Sequence, residues 1–468
     1  MSDGVAALTA QVREDLARIA HPTMPWLEPR IGPDGEPALD VLIVGGGQSG
    51  VATAFGLMRA QVRNILVVDK APRGYEGPWR TYARMATLRS PKDYTGPDLN
   101  IPSLTYRSWH EARFGRADWD ALPIIPRELW ADYLLWVRDV TGVPVRNDTA
   151  VIDIAPADGL LAVTLSDNTI RHTRKVVLAT GQEGTGAWWM PDFIAALPDR
   201  LRANAADPID FRSLRGKRVA VLGAGASAFD NAATALEAGA ATVDLYCRRP
   251  RPQTIQPYRW LTFAGFLRHL SDLDDAWRWR FMSRILGMRE GFPQATYDRC
   301  AKHANFRLRA GQSWTDARAL PEGGVEVATP AGPFRADFLI CATGIDMDFA
   351  SRPELARCAA NIATWADRYT PPEQERNDRL ARFPYLADDY ALTERVPGRT
   401  PWIADLHLFA IASSMSFGAS GSSINAMTTA VPKLVHGLTR GLFRGDIDRH
   451  WADLQAYDVR QAIVAETE

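Results

Sequence analysis

Val5, Leu8, Val12, Leu16 and Ile19 recur three and four residues apart, which predicts an amphipathic helix laying one face on the body of the protein. The pattern then changes. Asp40-Val-Leu-Ile-Val44 is a short apolar run that stops at Gly45-Gly-Gly47-Gln48-Ser49-Gly50. A helical stretch follows, and a second apolar run, Asn64-Ile-Leu-Val-Val68, ends on Asp69. Runs that are apolar at nearly every position predict strands buried on both faces, as in a parallel sheet covered by helices. The same succession returns as Arg218-Val-Ala-Val-Leu222, then Gly223-Ala-Gly225-Ala-Ser227-Ala228, a helical stretch, and Thr242-Val-Asp-Leu-Tyr-Cys247. Laid over each other without a gap, the two units place Gly45 on Gly223, Gly47 on Gly225, Gly50 on Ala228 and Asp69 on Cys247. The predicted fold class is α/β, with two Rossmann-like dinucleotide-binding domains.

Between the units, residues 74–126 are rich in Pro, Gly, Arg and aromatic side chains. That is long for a connection, and long connections in compact domains are commonly functional. A helix is predicted from Pro126 to Val140, with Leu129, Tyr133, Leu134 and Val137 along one side. Strand patterns near Val143–Ile154 and Leu160–Leu165 precede Lys175-Val-Val-Leu-Ala-Thr180-Gly181. A second strand ending the same way, Phe338-Leu-Ile-Cys-Ala342-Thr343-Gly344, follows the second unit. The recurrence predicts nesting: an extension over 1–39, then a first dinucleotide-binding domain in two parts, 40–183 and 331–468, interrupted by the second over 184–330. Within 251–310, Trp277 and Trp279 alternate with Arg278 and Arg280, which reads as helix packing rather than a nucleic-acid face.

Each fingerprint residue answers a physical demand. The first glycine makes a tight turn after the strand, the second lets the backbone approach a pyrophosphate, and the third lets helix and strand pack closely. The pyrophosphate then rests on a helix N-terminus, where free N–H groups and the macrodipole favour anions. Asp69 is placed to accept hydrogen bonds from a ribose diol, so the first site reads as FAD, held by Gly45, Gly47, Gly50 and Asp69 with Gln48, Ser49, Lys70 and Val151. At the second site Cys247 replaces the acid and Arg248 and Arg249 follow it, a pair suited to a 2′-phosphate. That site reads as NADPH in preference to NADH, held by Gly223, Gly225, Ser227, Ala228, Arg248 and Arg249. Thr180, Gly181, Thr343 and Gly344 are expected at linker or flavin contacts. Ser422, Ser423 and Asn425 precede an apolar helical run; they suit a helix cap or contacts to the flavin, and the pattern leaves both open.

Composition narrows the chemistry further. A chain of 468 residues has room for about three domains. Its net charge of −1 offers no overall attraction to nucleic acid or an acidic membrane surface. No apolar run approaches the roughly 20 residues of a membrane-spanning helix, and Met1-Ser-Asp-Gly-Val lacks the basic start of a signal peptide, so a cytoplasmic protein is expected. Cys247, Cys300, Cys341 and Cys358 form no C-x-x-C pair, which removes support for a disulfide reductase and suits a reducing compartment. The His residues are scattered, and no metal site is expected.

Taken together, the two fingerprints, the two Ala-Thr-Gly turns, Gly77-Pro-Trp79-Arg-Thr-Tyr82 and Thr87-Leu-Arg89-Ser-Pro-Lys92-Asp-Tyr-Thr-Gly-Pro-Asp98 resemble the class B flavin monooxygenases. The resemblance runs from about Asp40 to the run at Gly418–Asn425. It implies FAD, NADPH and O₂, with one oxygen atom delivered to a small soluble substrate from a flavin C4a-hydroperoxide. It also implies that Trp79 lies beside the flavin and that Arg89 and Lys92 hold substrate or coenzyme; these three are the candidate catalytic residues. Two departures matter. Ala179, Gly181, Thr185 and Trp189 stand where a Baeyer–Villiger fingerprint wants an aromatic residue, glycine, histidine and tryptophan, so ketone-to-ester chemistry loses support. Arg89 stands where the family keeps a neutral asparagine, which favours an anionic, carbonyl-rich substrate and makes urate hydroxylation a candidate. N- or S-oxygenation of an amine or thioether, and an NADPH oxidase that inserts no oxygen, are the alternatives. A non-catalytic sensor is disfavoured by two intact fingerprints.

Overall fold

The computed structural model describes residues 3–19, 23–94, 96–184, 186–421 and 423–463, so Thr185 and Ser422 lie outside the described residues. The leading helix, Asp3–Arg18, buries Val5 and Val12 of its apolar stripe. The first sheet is built around the strand Pro37–Val44, which is flanked by parallel Ile65–Val68 and Ile170–Leu178. Val145–Arg146 extends it on one edge, and antiparallel Leu160–Leu165 and Val151–Ala157 extend it on the other. Leu406–Leu408, from the far end of the chain, joins in parallel beside Val176–Leu178. Val41, Leu42, Ile43, Val67 and Val68 are fully buried, as an apolar run between helix layers requires.

The second sheet is wholly parallel, in the order Phe306–Ala310, Thr242–Cys247, Arg218–Leu222, Phe338–Cys341 and Arg202–Asn204. Phe338–Cys341, expected in the second FAD part, pairs instead with the second fingerprint strand, from Val219↔Phe338 to Leu222↔Cys341. The segments after the two Ala-Thr-Gly turns, Gly186–Trp188 and Ile345–Met347, pair with each other as a two-stranded antiparallel ribbon. At this ribbon the chain passes from the first sheet to the second and back again.

Helices in 251–305 divide their allegiance. Leu261, Phe266, Leu270, Trp279, Met282 and Ile285 belong to the core of the first sheet, although they follow the second fingerprint in sequence. Trp279 is fully buried and donates its indole N–H to the Glu375 carbonyl at 2.9 Å, while Trp277 faces solvent.

The strand Leu406–Leu408 carries one titration with a consequence for stability. His407 is fully buried and shares a hydrogen bond through Nδ1 with the Asp389 carbonyl at 2.9 Å, and burial with the nearby Lys175 charge pushes its pKa down to about 4. The unfolded chain takes up this proton near pH 6.5, so between there and about pH 4 falling pH favours unfolding, by on the order of 3 kcal/mol in all. Asp40 works the other way: burial raises its pKa to about 6, so the folded chain holds a proton the unfolded one lacks between about pH 6 and 3.8. The His407 contribution is therefore read by difference. His407→Gln is expected to lose less Tm than the parent between pH 6.5 and 5; an identical decline contradicts the assignment.

Candidate active site

The two glycine turns are built alike. Gly45 has φ +109° and Gly223 φ +123°, and a Cβ on either would stand 2.4 Å from a carbonyl oxygen, that of Ala179 or of Ala342. Each first glycine thus accommodates the alanine of one Ala-Thr-Gly turn, which is why the two motifs recur together. The third positions differ. A Cβ on Gly50 would lie 1.8 Å from the Gly45 carbonyl oxygen, whereas Ala228 already carries its methyl, fully buried. The middle glycines face open space. A Cβ on Gly225 meets nothing within 4 Å, and one on Gly47 meets no atom nearer than Gly77 Cα at 3.7 Å. Helices Gln48–Arg59 and Ala226–Glu237 begin at these glycines with no side chain capping them, so their first N–H groups are free for an anion.

Asp69 ends its strand 8% exposed, accepting from Gly46 N–H at 2.6 Å and Ala71 N–H at 2.7 Å. Burial raises its pKa, the two backbone donors oppose that, and further acceptor sites remain for a ribose diol. Lys70 is turned outward into an ion pair with Glu183 at 2.9 Å. Val151 is buried at the start of its strand. Ser49 Oγ donates to the Gly421 carbonyl, joining the first fingerprint helix to the glycine- and serine-rich run.

That run and the 77–98 segment close around the first glycine mouth. Trp79 is buried with its Nε1 unpartnered, close to Gly77 and edge-on to Trp130 with ring centres 6.4 Å apart. Trp130 Nε1 reaches Gln48 Oε1 at 3.4 Å, and Gly96 packs between the Trp130 ring and Ile424. Asn425, in the turn Ile424–Ala426, keeps a buried Oδ1 with no partner. An open glycine cradle, a waiting indole donor and a waiting amide acceptor fit a flavin. Behind them Tyr106, Trp109, Trp119, Tyr133 and His110 form a continuous, buried aromatic wall.

Arg89 and Lys92 are both engaged. Arg89 donates to Asp230 of the second fingerprint helix at 2.8 Å and lies 3.8 Å from Glu290. Asp230, 3% exposed, also meets Arg299 at 3.4 Å; burial raises its pKa and Arg89 opposes that. Arg89, expected beside an anionic substrate or the coenzyme, thus links the 77–98 segment to the second fingerprint helix through Asp230. Lys92 donates to the Trp119 carbonyl at 2.7 Å and sits over that ring at 4.6 Å. A cleft of about 590 Å³ lined by Arg84, Arg127, Phe211 and Glu237 opens at the far end of the second fingerprint helix, away from both glycine mouths.

A family model described as FAD-NAD(P)-binding matches residues 42–183, the span holding the first fingerprint. The chain is 41% identical over 456 residues to an FAD-dependent urate hydroxylase of Xanthomonas campestris pv. campestris, covering 97% of this chain and 95% of that one. The chain belongs to that family. It is an FAD-dependent monooxygenase that draws its electrons from NAD(P)H. In fold, the monooxygenase is similar to the ornithine hydroxylase of Pseudomonas aeruginosa, with TM-score 0.65 and 18% identity over 86% of this chain and 100% of that one. A Kutzneria sp. 744 ornithine N-hydroxylase, solved with reduced FAD, NADP+ and L-ornithine, gives the same TM-score, identity and coverage.

Around the second glycine mouth of the monooxygenase, Arg248 and Arg249 are both exposed at the strand end, and Arg249 donates to the Met288 carbonyl at 3.2 Å. Ser227 is exposed beside Gly225, and Thr343 Oγ1 donates to the Trp189 carbonyl, fastening the double crossing. Thr180 Oγ1 makes a long contact to the Gly184 carbonyl at 3.5 Å, and Gly181 and Gly344 both take positive φ in these turns. The sequence does not single out Asp230 or Glu290. Asp230 leaves a signal, an acid in the alanine-rich second fingerprint helix; Glu290 follows a helix whose pattern says nothing of the fingerprint it reaches.

Proposed function

We propose that this monooxygenase hydroxylates urate, using NADPH in preference to NADH. The 41% identity along 97% of the chain to an FAD-dependent urate hydroxylase carries the substrate. For the coenzyme, support comes from Cys247 in place of an acid, from Arg248 beside it, and from the NADP+ held by the structurally similar ornithine N-hydroxylase. Hydroxylation places one atom of O₂ in the substrate and releases the other as water, with two electrons from the nicotinamide. FAD, once bound, relays those electrons to O₂. The protein's part is to hold and exclude. Gly45, Gly47, Gly50 and Asp69 would seat the flavin dinucleotide, while Trp79 Nε1 and Asn425 Oδ1 would pair with flavin or substrate polar groups. The aromatic wall around Trp130 and Tyr106 would keep the reacting centre dry.

In this reading Arg89 positions the two bodies through Asp230 and Glu290 and does not carry the substrate's charge. The coenzyme domain is taken to end at the crossing near Gly344, since Phe338–Cys341 lies in its sheet. Cytoplasmic residence rests on four free, buried cysteines, and no helix among the described residues is long and apolar enough to cross a membrane.

Urate is expected to accelerate NADPH consumption well above the peroxide-forming background, with product matching NADPH consumed. NADPH should exceed NADH in kcat/KM by roughly ten- to a hundred-fold, the worth of a charge-assisted contact of about 1.5–3 kcal/mol. Urate without effect, while an amine or thioether stimulates turnover, would reassign the substrate.

A further inference from the structure

Four arginines gather on one side of the second fingerprint. Arg248 and Arg249 follow the strand Thr242–Cys247, Arg289 follows the helix Asp275–Met288, and Arg379 lies in the short helix Asp378–Ala381. Among the described residues, none of the four forms an ion pair with a carboxylate. They press on each other instead. Burial, then Arg248 and Arg249, lower the Arg289 pKa; burial and Arg289 push that of Arg379 down to about 10.

Two of the four have structural work. Arg249 Nη1 donates to the Met288 carbonyl at 3.2 Å and Arg379 Nη2 to the Leu286 carbonyl at 3.0 Å, where cations suit the carbonyl end of a helix. Gln253 takes the Met288 carbonyl as well, at 3.0 Å. Arg248 and Arg289 have no hydrogen-bond partner among the described residues, and their positions differ. Arg248 is at the end of the strand beside the fingerprint strand. Arg289 Nη1 stands 4.0 Å from the point a Cβ on Gly344 would occupy, past the end of the strand on the other side. Arg248 thus follows Cys247 on one flank of the fingerprint strand, and the Arg289 guanidinium stands next to Gly344 past the strand on the other flank. Its backbone adds a second observation. Arg289 has φ 67° and ψ 164°, a conformation that is nearly reserved for glycine and is kept in other residues where function needs it.

We propose that Arg289 binds the pyrophosphate of the nicotinamide coenzyme, from outside the fingerprint, while Arg248 reads the 2′-phosphate. The inference rests on coenzyme binding at the second fingerprint and adds a division of labour. The pyrophosphate is common to NADP+ and NAD+, so Arg289 sets affinity for both; the 2′-phosphate belongs to NADP+ alone, so Arg248 sets the choice between them.

Equilibrium titration of the FAD-loaded protein with NADP+ and with NAD+ tests this without turnover. Arg289→Gln is expected to weaken both coenzymes alike, by about tenfold or more, and Arg248→Gln to weaken NADP+ alone by a similar factor. Arg289→Gly should lose the same affinity while raising the Tm of the coenzyme-free protein, because glycine adopts this backbone freely. Unchanged binding in both Arg289 variants overturns the proposal, as does a loss confined to NADP+. Lost binding with a lower Tm in both variants overturns it too, making Arg289 a structural residue. A parent protein that binds neither coenzyme would instead refute the reading of the second fingerprint itself.

Discussion

Gly225→Val is expected to give a yellow, FAD-loaded protein that NADPH no longer reduces. The reasoning is spatial. Gly225 has φ −80° and ψ 172°, a backbone any residue adopts, and beyond its chain neighbours nothing lies within 4 Å of an added Cβ. The fold therefore has no quarrel with a side chain here. What the branched side chain would fill is the space over the free N–H groups at the start of helix Ala226–Glu237, the place of the pyrophosphate. Anaerobic stopped-flow reduction should slow by at least about a hundred-fold, equivalent to ~2.7 kcal/mol of lost coenzyme interaction. Flavin content and Tm should stay near those of the parent. Normal reduction would mean that the second mouth is not the coenzyme site.

The matching change in the first unit, Gly47→Val, is expected to eject the flavin. Gly47 has φ −71°, and its added Cβ would make ordinary contact with Gly77 Cα at 3.7 Å, so again the loss would fall on the ligand. Absorbance after gel filtration should find little FAD, with the protein still folded by far-ultraviolet circular dichroism. Stoichiometric FAD in the variant would sink the assignment of the first site. Gly50 cannot serve this purpose. Its added Cβ would lie 1.8 Å from the Gly45 carbonyl oxygen, so Gly50→Ala would disturb the turn even though the matched position, Ala228, is alanine.

This contrast indicates which features a sequence can carry. The glycine turns were legible because a tight turn, an open cradle and a close helix–strand approach each impose a residue type at fixed spacing. The recurrence of Ala-Thr-Gly was legible as a pattern, while its cause, the alanine carbonyl packed against the first glycine, is a contact between segments far apart in the chain. Arg89 was legible as an unusual charge, but its partner Asp230 lies 141 residues away and no local pattern pairs them. Phe338–Cys341 looked like a return to the first body because it ends as Lys175–Leu178 does; its pairing with Val219–Leu222 is a long-range choice that an apolar run does not encode. The same holds for Trp279, Met282 and Ile285, which follow the second fingerprint but pack into the first core. Arg289 left no trace in the pattern, since its significance comes from where a helix end happens to arrive.

Oxygen insertion is read most directly from the origin of the added atom. Turnover of urate by the FAD-loaded protein with NADPH under ¹⁸O₂, read by mass spectrometry of the immediate product, should find one heavy oxygen atom per product molecule and none when the label is in the water. Urate left unlabelled, with all NADPH consumption recovered as peroxide, would contradict oxygen insertion into urate and leave an NADPH oxidase.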